Sequence, residues 1–132
     1  MATNFDREAL RAKYNPDGSQ LRRDQMELLK MLRYVANICD ANGIEWWLSS
    51  GTLLGAARHE GFIPWDDDLD IVLLKRDCKR LERILERLDS EEYVYHSRRT
   101  DVEYVNTFGK FRKREGRITT SNRRYNYYKW AG

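Results

Sequence analysis

The sequence GFIPWDDDLDIVLL, residues 61–74, places four aspartates within five positions, directly before a run of branched apolar residues. Carboxylates are usually solvated, whereas a run such as IVLL is typical of a strand. Alternate side chains on a strand share a face. A strand over DLDIVLL would therefore direct Asp68 and Asp70 to one side and Leu69 to the other. If the strand began early enough, Asp66 would join the pair and Asp67 would point to the side of Leu69.

Paired carboxylates two residues apart on a strand predict a bound cation. Their backbones lie ~6.6 Å apart along the strand, and both side chains can lean onto one hard cation at ligand distances of ~2.1 Å. Without a cation, two charges ~5 Å apart repel by about 3 kcal/mol at an effective dielectric of 20. The pattern thus favours a divalent metal or a raised carboxyl pKa. A solvated acidic turn is the alternative, while a calcium EF-hand is disfavoured because Ile71 stands where its loop needs glycine.

The segment SSGTLLG, residues 49–55, predicts a phosphate-binding turn upstream of the aspartates. It places small residues between a predicted strand and a short helix, and exposed amides at a helix N-terminus bind phosphate. Ser50, Gly51 and Thr52 would supply amides and a hydroxyl. A phosphate-holding turn followed by metal-holding aspartates is a known layout for phosphoryl transfer.

The rest of the chain predicts a single α+β domain of 132 residues with a small, largely antiparallel sheet. A polar lead-in, loose or partly helical, occupies residues 1–20, and the core follows over 21–132. Apolar periodicity predicts helices at 21–42 and 75–88, the first ending at Gly43. Strands are predicted from Ile44, over 68–74, over 93–97 and over 104–112, with a short glycine-bounded helix at 51–61.

Charge and cysteine usage restrict the class of protein. Eight basic residues against one acidic residue lie between positions 110 and 129, opposite in sign to the aspartate cluster. Cys39 and Cys78 have no metal or redox spacing and are predicted core thiols, which fits a reducing compartment. The N-terminus lacks a signal-peptide pattern and no stretch is long enough to span a membrane. We expect a cytoplasmic protein, with peripheral membrane contact of the basic stretch left open.

The stretch GIEWWLSSGTLLGAARHEGFIPWDDDLDIVLL closely resembles the signature of the LicD family, which includes bacterial phosphocholine transferases and fukutin-related proteins. The resemblance extends over about residues 21–112. It implies a nucleotidyltransferase-like fold, a small mixed sheet flanked by helices. It also implies Mg²⁺- or Mn²⁺-dependent transfer of a phospho-alcohol group from a CDP-linked donor, such as CDP-choline, to a glycan hydroxyl of the kind found in lipopolysaccharide or teichoic acid.

Positions of the family motif carry over to this chain one by one. Gly51 and Thr52 resemble the turn that faces the nucleotide phosphates, with Ser50 beside them. Asp68 and Asp70 resemble the metal-binding and catalytic pair, with Asp66 as a third ligand. The remaining matches are two basic pairs, Arg58 with His59 and Lys110 with Arg112. Phosphate contact is expected for Arg58, Lys110 and Arg112. His59 is expected to act as a general base or to have a structural role.

One feature of the family pattern is not found in this sequence. The resemblance implies a third carboxylate from a later strand, in a segment resembling IFIDIFPLD, whereas Asp101 and Glu103 flank a predicted loop. The chain is thus expected to be the N-terminal part of a LicD-type core or a shortened member. A second hypothesis is therefore a non-catalytic domain that binds a nucleotide or a partner. Nucleic acid is not expected, although the Arg-, Lys- and Tyr-rich end leaves single-stranded RNA as a third interpretation.

Overall fold

The computed structural model describes residues 6–115. In chain order the elements are α1 (Arg7–Tyr14), α2 (Gln20–Ala41), β1 (Trp47–Leu48), α3 (Ser50–His59), β2 (Ile71–Val72), α4 (Lys75–Glu86), β3 (Tyr93–His96) and β4 (Lys110–Lys113). The predicted α+β class is confirmed. The strands form two separate antiparallel pairs, β1 with β2 and β3 with β4. The chain divides into two compact units, Met1–Leu74 and Lys75–Gly132. The predicted continuation of the basic stretch beyond residue 115 lies outside the described residues.

The long helix α2 supplies the core of the first unit. Ser19 caps its N-terminus by accepting a hydrogen bond from the amide of Arg22. Past its C-terminus Gly43 has a φ of +62°, the left-handed conformation that glycine adopts at little cost. Met31, Val35 and Cys39 are the buried apolar residues of this helix. The predicted helix 21–42 is therefore confirmed to within a residue at each end.

The strand predicted over residues 68–74 is only Ile71–Val72, so the expectation that Asp68 and Asp70 lie on a strand is wrong. The partner strand explains the short length. Leu48 pairs with Ile71, and the Ser49 amide still donates to the Asp70 carbonyl at 3.1 Å. The chain then turns into α3, so β1 has no further residues that could pair with residues 66–69.

Helix α3 packs against the loop that follows it without intervening side chains. A Cβ atom on Gly55 would lie 2.5 Å from the Gly61 carbonyl oxygen and 2.9 Å from the Ile63 nitrogen. The prediction that glycines at 51 and 61 bound this helix is wrong. Ser50 begins the helix with φ +52° and Glu60 ends it with φ +55°, so two non-glycine residues adopt the left-handed conformation.

The second unit packs α4 beside the β3–β4 hairpin. Leu81 and Leu85 of α4 are buried, as are Tyr93 and Tyr95 of β3. The Tyr95 hydroxyl donates to Glu82 of α4 at 2.8 Å. The strand predicted over 104–112 begins only at Lys110. Among the described residues, no helix is both long and apolar enough to cross a membrane.

The close contact at Gly55 predicts a strong effect of a single methyl group. Gly55→Ala should destabilise the first unit by about 1–3 kcal/mol, because the new Cβ meets backbone atoms that cannot rotate away. Gly61→Ala is the matched control, since its Cβ would meet nothing within 4 Å. That variant should stay within about 0.5 kcal/mol of the parent. Urea unfolding of the three proteins measures the difference, and equal stabilities for the two variants would contradict the packing described.

Candidate metal and phosphate site

Three carboxylates converge in the loop before β2. Asp66, Asp67 and Asp68 each offer an oxygen, and these oxygens all lie within 4.8 Å of one another. Asp66 is half-buried and the other two are exposed. The strand prediction placed Asp67 on the face opposite to its neighbours. Because residues 66–70 are not a strand, the loop turns Asp67 toward them, and Asp70 lies outside this group.

The donor set of this loop fits a hard divalent cation. Carboxylate oxygens are the ligands that Mg²⁺ and Mn²⁺ prefer. Oxygens on opposite sides of one such ion, each at ~2.1 Å, lie ~4.2 Å apart. Oxygens at adjacent positions of the same ion lie ~3.0 Å apart, so the three aspartates, whose oxygens lie within 4.8 Å of one another, would have to move closer together to share one ion. Asp66, Asp67 and Asp68 are thus the residues that would hold the cation, and Asp70 lies outside their group.

The first turn of α3 lies against the carboxylate of Asp66. A Cβ atom on Gly51 would be 3.0 Å from the Asp66 Oδ2 atom, so glycine leaves just enough room for this contact. Ser49 makes no side-chain capping hydrogen bond at this helix end. The N-terminus of a helix carries a partial positive charge that attracts anions. The geometry brings together two parts of the predicted site, the glycine turn and one metal-binding aspartate.

Thr52 ties α3 to the far end of the acidic loop. Its Oγ1 atom accepts a hydrogen bond from the Asp70 amide at 2.9 Å, and the residue is buried. Asp70 is therefore held from both sides of its backbone, because its carbonyl accepts from Ser49. The predicted contact of the Thr52 hydroxyl with a phosphate stays a prediction, whereas its contact with the loop is a structural role that the sequence did not indicate.

A buried glutamine holds the near end of the loop. Gln25 of α2 is fully buried, and its Nε2 atom donates to the backbone carbonyl of Asp66 at 2.8 Å. The sequence analysis missed this residue. A signal was present, because Gln25 is polar and yet falls on the apolar face of α2, between Leu21 and Leu28. A lone amide on such a face indicates a buried hydrogen-bond network.

Arg58 and His59 lie at the other end of α3 from Gly51. At 1.5 Å per residue the separation between Gly51 and His59 is about 12 Å along the helix. Burial lowers the pKa of His59, and the charges of Arg58 and Arg7 lower it further. Its ring meets Trp65 edge to face at 6.2 Å. The expected phosphate and base roles of this pair stay predictions, and the ring contact with Trp65 is a structural one.

The second basic pair belongs to β4 in the second unit. Lys110 lies opposite His96 in the strand register, and Arg112 is opposite Val94. Arg112 is 1% exposed, and its Nε atom donates to the Nδ1 atom of His96 at 3.1 Å. Because Nδ1 accepts, the neutral His96 ring carries its proton on Nε2, which donates to Asp101 at 2.8 Å. Phosphate binding by the two cations stays a prediction, since Arg112 has a structural contact of its own.

Fold and site together define a small α+β protein with an acidic loop beside a helix N-terminus. The model of a family described as LicD/FKTN/FKRP, nucleotidyltransferase domain, matches residues 43–130. This match covers more than half of the chain and includes α3, the acidic loop and β4. The chain belongs to the LicD family. No solved structure matches the chain.

Curated relatives match a shorter part of the chain. The uncharacterized protein RP689 of Rickettsia prowazekii is 39% identical over 69 residues, which are 52% of this chain and 26% of that protein. The lipopolysaccharide cholinephosphotransferase LicD of Haemophilus influenzae is 38% identical over 73 residues, 55% of this chain and 28% of that protein. The human ribitol 5-phosphate transferase FKRP is 42% identical over 57 residues, 43% of this chain and 12% of that protein. The aligned stretches thus span between 12% and 28% of the relatives' lengths.

The network around His96 predicts a loss of stability on acidification. Burial lowers the pKa of His96; the hydrogen bond to Asp101 opposes this effect, and the charge of Arg112 adds to it. A folded-state pKa below the ordinary value of about 6.5 means that the unfolded chain binds the proton first. Stability should therefore fall as the pH drops from about 7 through the range below 6.5.

Urea unfolding at a series of pH values tests this dependence on His96. His96→Gln should be less stable than the parent at neutral pH, because Arg112 and Asp101 lose their ring partner, yet its stability should depend less on pH. His59→Gln is the control for the other histidine of the chain, whose pKa is lowered as well. A His96→Gln protein with the same pH dependence as the parent would rule out this histidine as the source.

Proposed function

We propose that this chain forms the metal- and phosphate-binding part of a LicD-type transferase. The reaction is the transfer of a phospho-alcohol group from a CDP-linked donor to a glycan hydroxyl, with Mg²⁺ or Mn²⁺ as the cofactor. One observation carries the proposal: the aspartates at 66–68 converge next to the first turn of α3, inside the segment that matches the family.

Electrostatics support a cation between the loop and a bound phosphate. Asp66 already lies against the helix N-terminus, the position that was predicted for a phosphate. A pyrophosphate at the same place would bring two like charges into contact, and such charges ~4 Å apart repel by about 4 kcal/mol near a protein surface. A divalent ion held by the three carboxylates would neutralise and align the donor phosphates.

The chain's own residues then have distinct roles. Asp66, Asp67 and Asp68 bind the cation. The amides of Gly51 and Thr52 donate to phosphate oxygens, where the dipole of α3 stabilises negative charge on the transferring group. Asp70, fixed through its backbone, orients the end of the loop. The oxygen of the acceptor hydroxyl would bond to the phosphorus that carries the alcohol, the pyrophosphate P–O bond would break, CMP would leave with the bridging oxygen, and the hydroxyl proton would pass to solvent.

The names of two relatives support the donor class. One relative is named for cholinephosphate and the other for ribitol 5-phosphate, so each transfers a phosphate that carries an alcohol. Both names fit a shared phosphate-binding element with different recognition of the alcohol. CDP-choline is the donor that we propose first, and CDP-ribitol is the comparison.

Calorimetric titration of CDP-choline into the chain, with and without Mg²⁺, tests the proposal. Binding should require the metal, and Asp68→Asn should weaken it at least roughly tenfold. Removal of a residue that merely orients a metal ligand already weakens metal binding by that much, and removal of a ligand itself should weaken it no less. CTP and CDP-ribitol, titrated in parallel, separate recognition of the nucleotide from recognition of the alcohol.

Asp40→Asn is the matched control, because it makes the same change at an exposed position near the C-terminal end of α2. It should bind as the parent does. Metal-independent binding, or a folded Asp68→Asn protein that binds as tightly as the parent, would contradict the metal role of the loop.

A further inference from the structure

The side chain of Gln25 meets three backbone carbonyls in the loop that leads into the aspartates. Its Nε2 atom lies 3.2 Å from the Ile63 oxygen, 3.4 Å from the Pro64 oxygen and 2.8 Å from the Asp66 oxygen. The Asp66 amide donates to Ile63 at 3.0 Å, so these residues form a turn with proline at its second position. A single amide group of α2 thus fixes this turn from outside.

The orientation of the Gln25 amide is itself fixed. Its Oε1 atom accepts from the Nδ2 atom of Asn15 at 2.9 Å and from Arg22 at 3.1 Å. Asn15 is fully buried, and its Oδ1 atom accepts from the Ser19 hydroxyl at 2.5 Å. With donors on the oxygen side, only the nitrogen of Gln25 can face the loop. A reversed amide would place its oxygen against three carbonyl oxygens.

We propose that Gln25 is a positioning residue for the metal site of the acidic loop, an inference that rests on the proposed function. Within residues 6–115, the side-chain hydrogen bonds of Gln25 go to backbone carbonyls, to Asn15 and to Arg22. Gln25 acts through the Asp66 backbone, on which the direction of the first metal-binding side chain depends. Mutation of residues that orient metal ligands without touching the metal typically weakens metal binding roughly 10- to 100-fold.

Neither the sequence motif nor the family match assigns this role. The match begins at residue 43, whereas Gln25 and its partner Asn15 precede it, as does Ser19, which donates to Asn15. The network therefore joins the family segment to a helix that lies outside the matched region. It also explains why a glutamine occupies the apolar face of α2, where an aliphatic residue would pack without any need for a partner.

Titration of Mn²⁺ into the full chain tests the inference with Gln25→Met, which keeps the length of the side chain and removes its donors. The dissociation constant for Mn²⁺ should rise roughly 10- to 100-fold. Hydrogen exchange should become faster in the segment 61–70 and remain unchanged in the rest of the first unit. All measurements are made well below the unfolding temperature of each protein.

Val35→Ala is the control for a merely structural effect. Val35 is buried in the same helix, and its truncation should lower the unfolding temperature without changing Mn²⁺ affinity. Gln20→Met repeats the chemical change at an exposed position of α2 and should change neither quantity. Parent-like Mn²⁺ affinity in Gln25→Met, or an equal loss in Val35→Ala, would overturn the inference.

The same Mn²⁺ titration distinguishes failure of the proposed function from failure of the inference about Gln25. A parent chain that does not bind Mn²⁺ contradicts the proposed function, and hydrogen exchange then decides the role of Gln25 alone. Faster exchange confined to the segment 61–70 in Gln25→Met would support its control of the loop, and unchanged exchange would overturn it.

Discussion

Gln25 and Thr52 hold the two ends of the acidic loop by hydrogen bonds to its backbone. The Gln25 amide binds the carbonyls at the start of the loop, and the Thr52 hydroxyl accepts from the Asp70 amide at its end. Between these anchors the chain presents adjacent carboxylates that repel one another. A loop without anchors would relieve the repulsion by spreading, so the convergence of the aspartates depends on residues that carry no charge themselves.

Helix α3 combines two roles in the same unit. Its glycine at position 55 allows the backbone of the following loop to approach, and its glycine at position 51 allows the Asp66 carboxylate to approach its first turn. A larger side chain at either position would separate the helix from the loop. The distance between the helix end proposed for phosphate and the loop proposed for the metal is therefore short because glycine has no side chain at either position.

Much of this arrangement could be predicted from the sequence, because its signals are local. The periodicity of α2 and the glycine at position 43 predicted the helix and its end, and the aspartate run with the family motif indicated which segment to consider as the site. The strand over 68–74 was wrong because strand length depends on a partner: β1 ends where the chain turns into α3, and branched residues alone do not reveal this. Because residues 66–70 are not a strand, Asp67 is not forced to the opposite face and joins Asp66 and Asp68 in the carboxylate group.

The hydrogen-bond network of Gln25 was missed for a different reason. Asn15 and Ser19 lie in the predicted polar lead-in. Asn15 donates to Gln25 and accepts from Ser19, and the first of these bonds joins side chains that meet only in the folded unit. Arg112 is a similar case. Its match to a basic pair of the family motif led to the expectation of a phosphate contact, while its burial against His96 depends on the pairing of β4 with β3. Long-range burial of polar groups is the part of the site that sequence patterns specify least.

The most direct test of the central claim is anomalous diffraction from crystals of the chain grown with Mn²⁺ and CDP-choline. The account predicts an anomalous peak within ligand distance of Asp66, Asp67 and Asp68, with the donor phosphates between that ion and the first turn of α3. A well-ordered loop without a peak, or a peak bound by other residues, would contradict the assignment of this loop as the metal site.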